Sequence, residues 1–387
     1  MFVTNFNDWE QRKVNSISGK TYGGGTPKTK TAEYWQGDFP WIQSSDLKID
    51  ELNKVNPQKF ITEEAIRNSA AKAIPGNSIA IVTRVGVGKL AYLKYPYSTS
   101  QDFLSLSMLT VDPLFGVYGL YKLIKKELNN IQGTSIKGMT KSDLLNKKLY
   151  IPFTLEEQKQ IGTFLKTLDN TIALHQEKLE KLKQLKKGYL QVMFPKNGER
   201  TPRLRFANFS ADWEQRKLGD VTQVTMGQSP SSENYTDNPE DYILVQGNAD
   251  MKDGRVTPRV WTTQITKLAE ENDIILSVRA PVGDIGKTDY KAVLGRGVAG
   301  IKGNEFIFQL LGKMKQDKFW TKLSTGSTFE SINSKDIQEA MLVIPNRIEQ
   351  KIIGELFLAL DNTIALCQKK ILILQEIKRI YLQKMFA

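Results

Sequence analysis

The chain has 387 residues, 40% of them hydrophobic and 25% charged, so it is long enough for two globular domains with ordinary cores. Its formal net charge of +12 favours a polyanionic partner. One histidine and one cysteine exclude an internal disulfide and a zinc site built from several such ligands. No apolar run reaches the ~20 residues that span a bilayer, and the first residues lack a signal-peptide core. We therefore expect a cytoplasmic protein with no membrane partner.

The first part of the chain has the pattern of a mixed α and β unit. A Gly-rich stretch, Gly23–Gly25, precedes a short predicted strand at Phe39–Ile42. Helical patterns cover Glu63–Ala71 and Gly119–Leu128, and a continuous apolar run predicts a buried strand at Ile79–Val82.

The next segment has the periodicity of a long helix. Apolar residues recur at alternating spacings of four and three from Ile161 to Met193, which is the a/d pattern of a coiled coil. The pattern corresponds to about 48 Å of helix. Two seam positions are polar, His175 and Lys186. The seam residues predicted in this helix are Leu165, Leu168, Ile172, His175, Leu179 and Leu182.

A second unit follows the plan of the first. Tyr242–Val245 and Ile274–Val278 are predicted strands. The second of these ends at Arg279, just as the buried strand of the first unit ends at Arg84. We therefore expect the two arginines to be structural equivalents.

A second long helix follows the second unit and repeats the first one. The heptapeptide LDNTIAL occurs at Leu168–Leu174 and, 192 residues later, at Leu360–Leu366. Repeats separated by about half the chain indicate two tandem copies of one unit. The second seam is predicted from Phe357, Leu360, Ile364, Cys367, Ile371 and Leu374, with Lys378 at the position of Lys186.

An amphipathic helix of this length must bury its apolar stripe, and the other copy offers a matching one. Two-fold related copies would place the helices antiparallel, with His175 near Cys367 at the crossing. We interpret that pair as a layer that fixes register, and Lys186 and Lys378 as packing their stems while their ammonium groups reach solvent. The predicted fold is α+β: two tandem globular α/β domains, held apart by a long antiparallel two-helix coiled coil with pseudo-two-fold symmetry.

Polar loops on both units carry side chains suited to DNA. Gln and Asn can pair with adenine edges and Arg and Lys with guanine edges, while backbone amides can bond phosphates. For every candidate residue the alternative is a side chain that is merely solvated. For Arg84 and Arg279 a salt bridge within the same unit is a further alternative. The candidates are Lys28, Gln43, Ser44, Arg84 and Lys137 in the first unit, and Gln246, Asn248, Arg279, Arg296 and Lys335 in the second.

Two short motifs suggest other chemistry. Gly295–Gly300 matches G-x-G-x-x-G, but no helical pattern begins there, so we interpret it as a bend beside a strand. Asp112–Phe115 is one residue away from the Asp-Pro-Pro-Phe tetrapeptide of adenine methyltransferases. We interpret it as a turn, because no cofactor-binding motif accompanies it.

Taken together, these residues resemble the specificity subunit of type I restriction–modification systems. The Gly-Ser-Thr loop before Ile344-Pro345 belongs to the resemblance. The other segments that carry it are the Gly-rich Thr-Pro turn, Trp35, Pro40–Ile42, Ser45–Leu47, Thr201–Phe206, Trp213-Glu214 and Glu349–Lys351. The match is repeated in both halves, although the first half lacks a counterpart to the Pro-Arg-Leu-Arg-Phe segment at 202–206.

The resemblance implies target recognition domains at 1–153 and 198–345, and conserved spacer helices at 154–197 and 346–387. Each domain would read one half of an asymmetric, bipartite, gapped site in double-stranded DNA, and the helices would set the gap. Two modification subunits would bind S-adenosylmethionine and flip the target adenine. Two restriction subunits would use ATP and magnesium. No catalytic, metal or cofactor site is expected in this chain itself.

Two other functions stay open at this stage. One is a fused or degenerate adenine-specific DNA methyltransferase that uses Asp112–Phe115. The other is a coiled-coil scaffold without base specificity.

Overall fold

The computed structural model describes residues 9–130, 139–196, 198–323 and 330–386. The chain divides into two compact units, both of mixed α/β structure. Unit 1 consists of Met1–Glu177 together with Gln368–Ala387, and unit 2 consists of Lys178–Cys367. Unit 1 is therefore assembled from two separate stretches of the chain, whereas unit 2 is continuous.

The elements of unit 1 alternate between short strands and helices. The helices that begin in it are α1 (Glu63–Asn68), α2 (Pro113–Asn130), α3 (Lys141–Asn146) and α4 (Leu155–Val192), with 3-10 turns at Val14–Ile17, Ala32–Trp35 and Ser44–Asp46. Its strands are β1 (Trp9–Lys13), β2 (Ser18–Gly23), β3 (Phe39–Ile42), β4 (Lys59–Ile61), β5 (Ser78–Val82), β6 (Leu90–Leu93), β7 (Ser98–Thr99), β8 (Phe103–Leu109) and β9 (Lys148–Pro152).

The main sheet of unit 1 has the antiparallel order β2-β8-β5-β6. All five side chains of β5 are buried, because both faces of this strand are covered. Ile79 and Ile81 pack in the core beneath α2, while Ala80 and Val82 face the opposite apolar cluster, as the two-residue period of a strand requires. A smaller sheet places β3 between antiparallel β4 and parallel β7, and β1 pairs with β9.

Unit 2 contains more strands. The helices that begin in it are α5 (Leu218–Val221), α6 (Glu305–Gln316), α7 (Phe319–Leu323), α8 (Ser334–Gln338) and α9 (Arg347–Met385), with 3-10 turns at Ser232–Asn234 and Asn248–Asp250. Its strands are β10 (Glu214–Lys217), β11 (Val224–Met226), β12 (Tyr235–Thr236), β13 (Tyr242–Val245), β14 (Met251–Lys252), β15 (Arg255–Val256), β16 (Trp261–Thr262), β17 (Leu268–Ala269), β18 (Ile274–Ser277), β19 (Ile285–Lys287), β20 (Ala292–Leu294), β21 (Val298–Ile301) and β22 (Met341–Ile344).

The sheets of unit 2 contain the topology of unit 1. The order β11-β21-β18-β19 repeats β2-β8-β5-β6, and β10 pairs with β22 as β1 pairs with β9. β13 lies between antiparallel β16 and parallel β20, as β3 lies between β4 and β7. Unit 2 adds β14 and β15 to one sheet and β12 and β17 to the other.

A glutamine fixes the start of each long helix. Gln158 accepts a hydrogen bond from the Asp112 N–H (2.9 Å), and Gln350 accepts one from the Asn304 side chain (3.0 Å). Each glutamine also donates to the carbonyl of the proline that precedes its helix (2.9 Å). Asp112 and Asn304 lie at the starts of α2 and α6 and bond the first-turn amides there. In both units a glutamine therefore joins the long helix to the proline before it and to the start of a shorter helix, α2 or α6.

The repeated Met-Phe pairs at the ends of the long helices fill the cores. Met193 and Phe194 lie in the core of unit 2, where Phe194 stacks on Phe306 at a ring-centroid distance of 5.2 Å. Met385 and Phe386 lie in the core of unit 1, where Phe386 contacts Trp9 and Phe115. The segment that contains α4 therefore begins in unit 1 and ends in the core of unit 2, and the segment that contains α9 does the reverse.

Each unit also contains one ion pair between its two long-helix segments. In unit 1 the Lys378 ammonium pairs with Asp169, and in unit 2 the Lys186 ammonium pairs with Asp361 (2.6 Å). The interpretation that these ammonium groups reach solvent was therefore wrong: the lysine side chains are only 11% and 23% exposed. A heptad pattern marks Lys186 and Lys378 as polar interruptions, but it does not show which residue lies opposite.

Within each unit the long-helix segments run in opposite directions. In unit 1, Phe164 contacts Tyr381 (ring centroids 4.8 Å apart) and Asp169 pairs with Lys378. Seam residues are buried or half-buried, whereas Leu174 and Leu366 beside the seam are 64% and 68% exposed. The buried members are Leu165, Ile172, Phe357, Cys367 and Ile371, and the half-buried ones are Leu168, His175, Leu179, Leu182, Leu360, Ile364 and Leu374. The predicted approach of His175 to Cys367 joins different units and stays a prediction.

The strand predictions are largely confirmed. β3 and β13 have the predicted bounds, and β5 and β18 differ from theirs by one residue at one end. The helix predicted at Glu63–Ala71 ends at Asn68, because Ser69 is already extended. The helix predicted at Gly119–Leu128 begins earlier, at Pro113, because Asp112 caps it.

Candidate functional site

A polar cleft in unit 2 brings four of the predicted residues together. Its volume is about 310 Å³, and Gln246, Asn248, Arg279 and Arg296 all line it. Ser229, Tyr235 and Ser277 complete much of the wall. These residues come from loops separated along the sequence, and the strand order of the sheets gathers them.

The base of the cleft is formed where the parallel strands β13 and β20 end. The Gly295 N–H donates to the Val245 carbonyl (2.7 Å), and the Arg296 N–H donates to the Ser229 hydroxyl (3.0 Å). A Cβ at position 297 would lie 2.0 Å from the Gln246 carbonyl oxygen, so this close approach requires Gly297. The G-x-G-x-x-G segment then continues as strand β21, which confirms the predicted bend beside a strand.

The loop that carries Gln246 is fixed through its backbone. The buried Asp250 carboxylate accepts hydrogen bonds from the N–H groups of Gln246 (2.7 Å) and Gly247 (3.1 Å), and it also binds Arg259 (2.9 Å). Within the described part of the chain, the side chains of Gln246 and Asn248 form no hydrogen bond. The backbone of the loop is therefore preorganised, and the side-chain amides of Gln246 and Asn248 are left to bind a ligand in the cleft.

Arg279 lies on the loop that follows β18. The Ser277 hydroxyl donates to the carbonyls of Arg279 (2.9 Å) and Pro281 (3.0 Å), which fixes the start of this loop. Arg279 and Arg296 are exposed, and neither forms an ion pair with any residue that the structure describes. The internal salt bridge considered for Arg279 is thus not observed in these ranges. Two guanidinium groups without counter-ions in one cleft favour a polyanionic ligand.

Unit 1 has the same arrangement of loops. The Ser100 N–H donates to the Ile42 carbonyl (2.9 Å), matching the bond from Gly295 to Val245. The Thr83 N–H donates to the Asp102 carbonyl (2.8 Å), matching the bond from Val278 to Gly297 (2.9 Å). These bonds place Arg84 at the position of Arg279, as predicted. In the same way, the Asp46 carboxylate accepts from the Gln43 N–H (3.0 Å), as Asp250 does from Gln246.

This alignment identifies a residue that the sequence analysis missed. Gln101 lies between Ser100 and Asp102 and is exposed, and it occupies the position of Arg296 in unit 2. Its signal in the sequence is a single glutamine before an apolar run, which is too weak to be noticed without knowing that β3 pairs with β7.

The remaining candidates lie at different places. Lys28 is exposed, and its carbonyl accepts the Trp35 indole N–H (3.2 Å). The Ser44 carbonyl accepts the Lys89 ammonium (2.8 Å), which ties the Gln43 loop to the loop after β5. Lys335 is exposed on α8 and is not among the residues that line the cleft. Lys137 lies outside the described residues.

Unit 1 also has a cationic surface beside Arg84. Burial lowers the pKa of Lys141, and the positive charges of Arg84 and Lys72 lower it further. The Lys141 ammonium lies close to Gly23, at 2.7 Å from where a Cβ would be. Three cationic side chains that act on one another make this surface suited to a polyanion.

Asp112–Phe115 has a structural role. The Phe115 N–H donates to the Asp112 carboxylate (2.9 Å), and the Phe115 ring is 2% exposed within the core. The segment is therefore the capped start of α2, and not the turn that the sequence analysis predicted. Among the described residues, no helix is long and apolar enough to cross a membrane, and no cluster of three or more His, Cys, Asp or Glu side chains is arranged to hold a metal ion.

Comparison with known proteins agrees with this arrangement. A family described as "Type I restriction modification DNA specificity domain" matches residues 7–184 and 210–379. The putative type I restriction enzyme MjaX specificity subunit of Methanocaldococcus jannaschii is 30% identical over 387 residues, covering 94% of this chain and 89% of the relative. The MjaIX specificity subunit of the same organism is 27% identical, covering 98% and 92%.

A solved structure also has this fold. The type I restriction–modification system S subunit from M. genitalium superimposes with a TM-score of 0.69 at 17% identity, covering 100% of this chain and 98% of that one.

Proposed function

Because the chain belongs to the type I restriction–modification DNA specificity family, we propose that it reads a bipartite site in double-stranded DNA. Unit 2 would read one half of the site and unit 1 the other. The observation that carries this proposal is the cleft in unit 2, which Arg279, Arg296 and Gln246 line and where their side chains form no hydrogen bond or ion pair with the described residues. The equivalent loops of unit 1 present Gln43 and Arg84. Since unit 1 has Gln101 where unit 2 has Arg296, we expect the two half-sites to differ and the site to be asymmetric.

We further propose that α4 and α9 form an antiparallel coiled coil that sets the gap between the half-sites. The reciprocal ion pairs support this arrangement. Asp169 pairs with Lys378 and Lys186 with Asp361. The aspartate of each repeat therefore pairs with the lysine of the other repeat. Such reciprocity is expected of two-fold related copies. Half-sites read from one face lie about 34–36 Å apart, which a helix pair of about 48 Å can span.

The chemistry in this proposal belongs to partner subunits. Two modification subunits would bring S-adenosylmethionine and methylate the flipped adenine. Two restriction subunits would bring ATP and magnesium, and the assembly would work in the cytoplasm. Exposed apolar side chains beside the seam, Leu366 (68%), Leu372 (65%) and Ile373 (50%), support docking of a partner there.

Selection from a random pool of DNA duplexes tests the reading function. The chain, assembled with its modification subunits, is expected to enrich two short unlike sequences separated by a fixed gap. A flat pool would instead favour a scaffold without base specificity. Binding of S-adenosylmethionine by the isolated chain would favour a methyltransferase.

Arg279→Ala tests how the site is divided between the units. The variant is expected to lose discrimination in one half of the selected sequence, because Arg279 belongs to the cleft of unit 2 alone. Arg216→Ala, which removes the same charge from an exposed position on β10, is the matched control and is expected to change neither half. Equal loss in both halves would contradict the division of labour.

Insertion of seven residues into both α4 and α9 tests the gap. One heptad keeps the seam in register, so the two half-sites are expected to stay the same while their spacing changes. Mapping of methylated adenines across a genome measures both properties at once. An unchanged gap in a folded variant would count against the spacer role.

A further inference from the structure

Resting on the proposed function, we propose that Gln101 and Arg296 occupy one specificity-determining position, at which the two half-sites carry different bases. Each residue lies in a turn that connects two sheets: the turn from β7 to β8 in unit 1 and the turn from β20 to β21 in unit 2. We name this the central turn: Ser100–Asp102 in unit 1 and Gly295–Gly297 in unit 2.

The backbone of the central turn is fixed in the same way in both units. On one side, its first N–H bonds the carbonyl at the end of β3 or β13, over 2.9 and 2.7 Å. On the other side, its last carbonyl accepts the N–H of Thr83 or Val278, over 2.8 and 2.9 Å. The residue after each of these, Arg84 or Arg279, begins the next loop. The central turn therefore lies between the loop that carries Gln43 or Gln246 and the loop that carries Arg84 or Arg279.

The middle residue of the central turn is free to contact a ligand. Gln101 and Arg296 are exposed, and their side chains form no hydrogen bond or ion pair with the described residues of the chain. Their flanks are alike, because Gln43 corresponds to Gln246 and Arg84 to Arg279. The position between these flanks thus differs in chemistry while its frame is the same.

The two side chains select different bases. A glutamine amide can donate to and accept from the adenine major-groove edge, whereas a guanidinium donates twice and matches guanine O6 and N7. We therefore assign adenine to this position in the half-site of unit 1 and guanine to it in the half-site of unit 2. A phosphate contact would make no such distinction, because every nucleotide offers the same phosphate.

Exchange of the two residues tests the assignment. The full chain with its modification subunits is used to select duplexes from a random pool, comparing the unaltered protein with Gln101→Arg and Arg296→Gln. Gln101→Arg is expected to shift one position of the unit 1 half-site from adenine to guanine by about tenfold or more. Arg296→Gln is expected to produce the opposite shift in the other half-site only. The gap is expected to stay the same.

Two further variants make the result decisive. Gln101→Ala is expected to lose preference at that one position and to retain the others. Gln11→Arg adds the same charge to an exposed position on β1 and is expected to leave the selected sequence unchanged. An unchanged sequence in Gln101→Arg, even with tighter or more salt-dependent binding, would overturn the assignment in favour of a phosphate contact. If the unaltered protein selects no bipartite sequence at all, the proposed function fails instead.

Discussion

Gly162→Ala tests how closely α4 packs against the start of α2. A Cβ at this position would lie 2.6 Å from the Phe115 backbone nitrogen, 2.7 Å from the Leu114 Cβ and 2.9 Å from an Asp112 carboxylate oxygen. Ordinary contacts between such atoms are about 3.5–4.0 Å, so α4 or the start of α2 must move by roughly 1 Å. Overpacking costs about 1–3 kcal/mol, and contact with rigid backbone points to the upper end of that range. Replacing a helical glycine returns about 1 kcal/mol, so we expect a net loss of about 2 kcal/mol.

Gly188→Ala is the matched control. Gly188 lies in the same helix, and a Cβ there would meet no atom within 4 Å. This variant is expected to gain stability, by up to about 1 kcal/mol, since only the propensity term acts. Urea unfolding followed by circular dichroism gives both free energies. Equal stabilisation by the two substitutions would refute the close packing of α4 on α2.

Three other predictions concern buried charges and phenols. Lys378→Met leaves the Asp169 carboxylate without its counter-ion at a nearly buried site, so unfolding experiments are expected to show a loss of about 3–5 kcal/mol, most of which Asp169→Leu restores in the double variant. Arg205→Leu breaks a bidentate pair with Glu349, whose side chain is fully buried, and a similar loss is expected; no loss would mean that the carboxylate becomes hydrated. Burial raises the pKa of Tyr97 to about 12, above the ~10 of the unfolded chain. The neutral phenol therefore stabilises the folded state fully below about pH 10, and this contribution is lost as the pH rises through about 12. The free energy of unfolding of Tyr97→Phe is expected to fall less steeply between those pH values, and an identical slope would contradict the raised pKa.

Periodicity and repeats predicted the elements that depend on local pattern. The long helices follow from spacings of four and three, and Arg84 was matched with Arg279 because each ends a predicted strand. Short strands such as β3 and β13 were found because apolar runs flanked by polar residues leave few alternatives.

The rest depends on contacts between distant parts of the chain. Gln101 becomes a candidate only when β7 lies parallel to β3, and no local pattern encodes that pairing. The same holds for the Lys186 ion pair, whose partner Asp361 lies in the other repeat. Helical periodicity tells which side of a helix is buried, but it does not tell which residue meets which across the interface.

The position of Phe386 has a consequence for biosynthesis. Its ring belongs to the core around Trp9, so the unit that is translated first cannot finish folding until residues 368–386 have left the ribosome. The continuous stretch 178–367 emerges earlier and already holds every residue of its own core. A premature stop codon or proteolytic cut near residue 380 would therefore damage the amino-terminal unit, although the lesion follows the whole of unit 2 in the sequence.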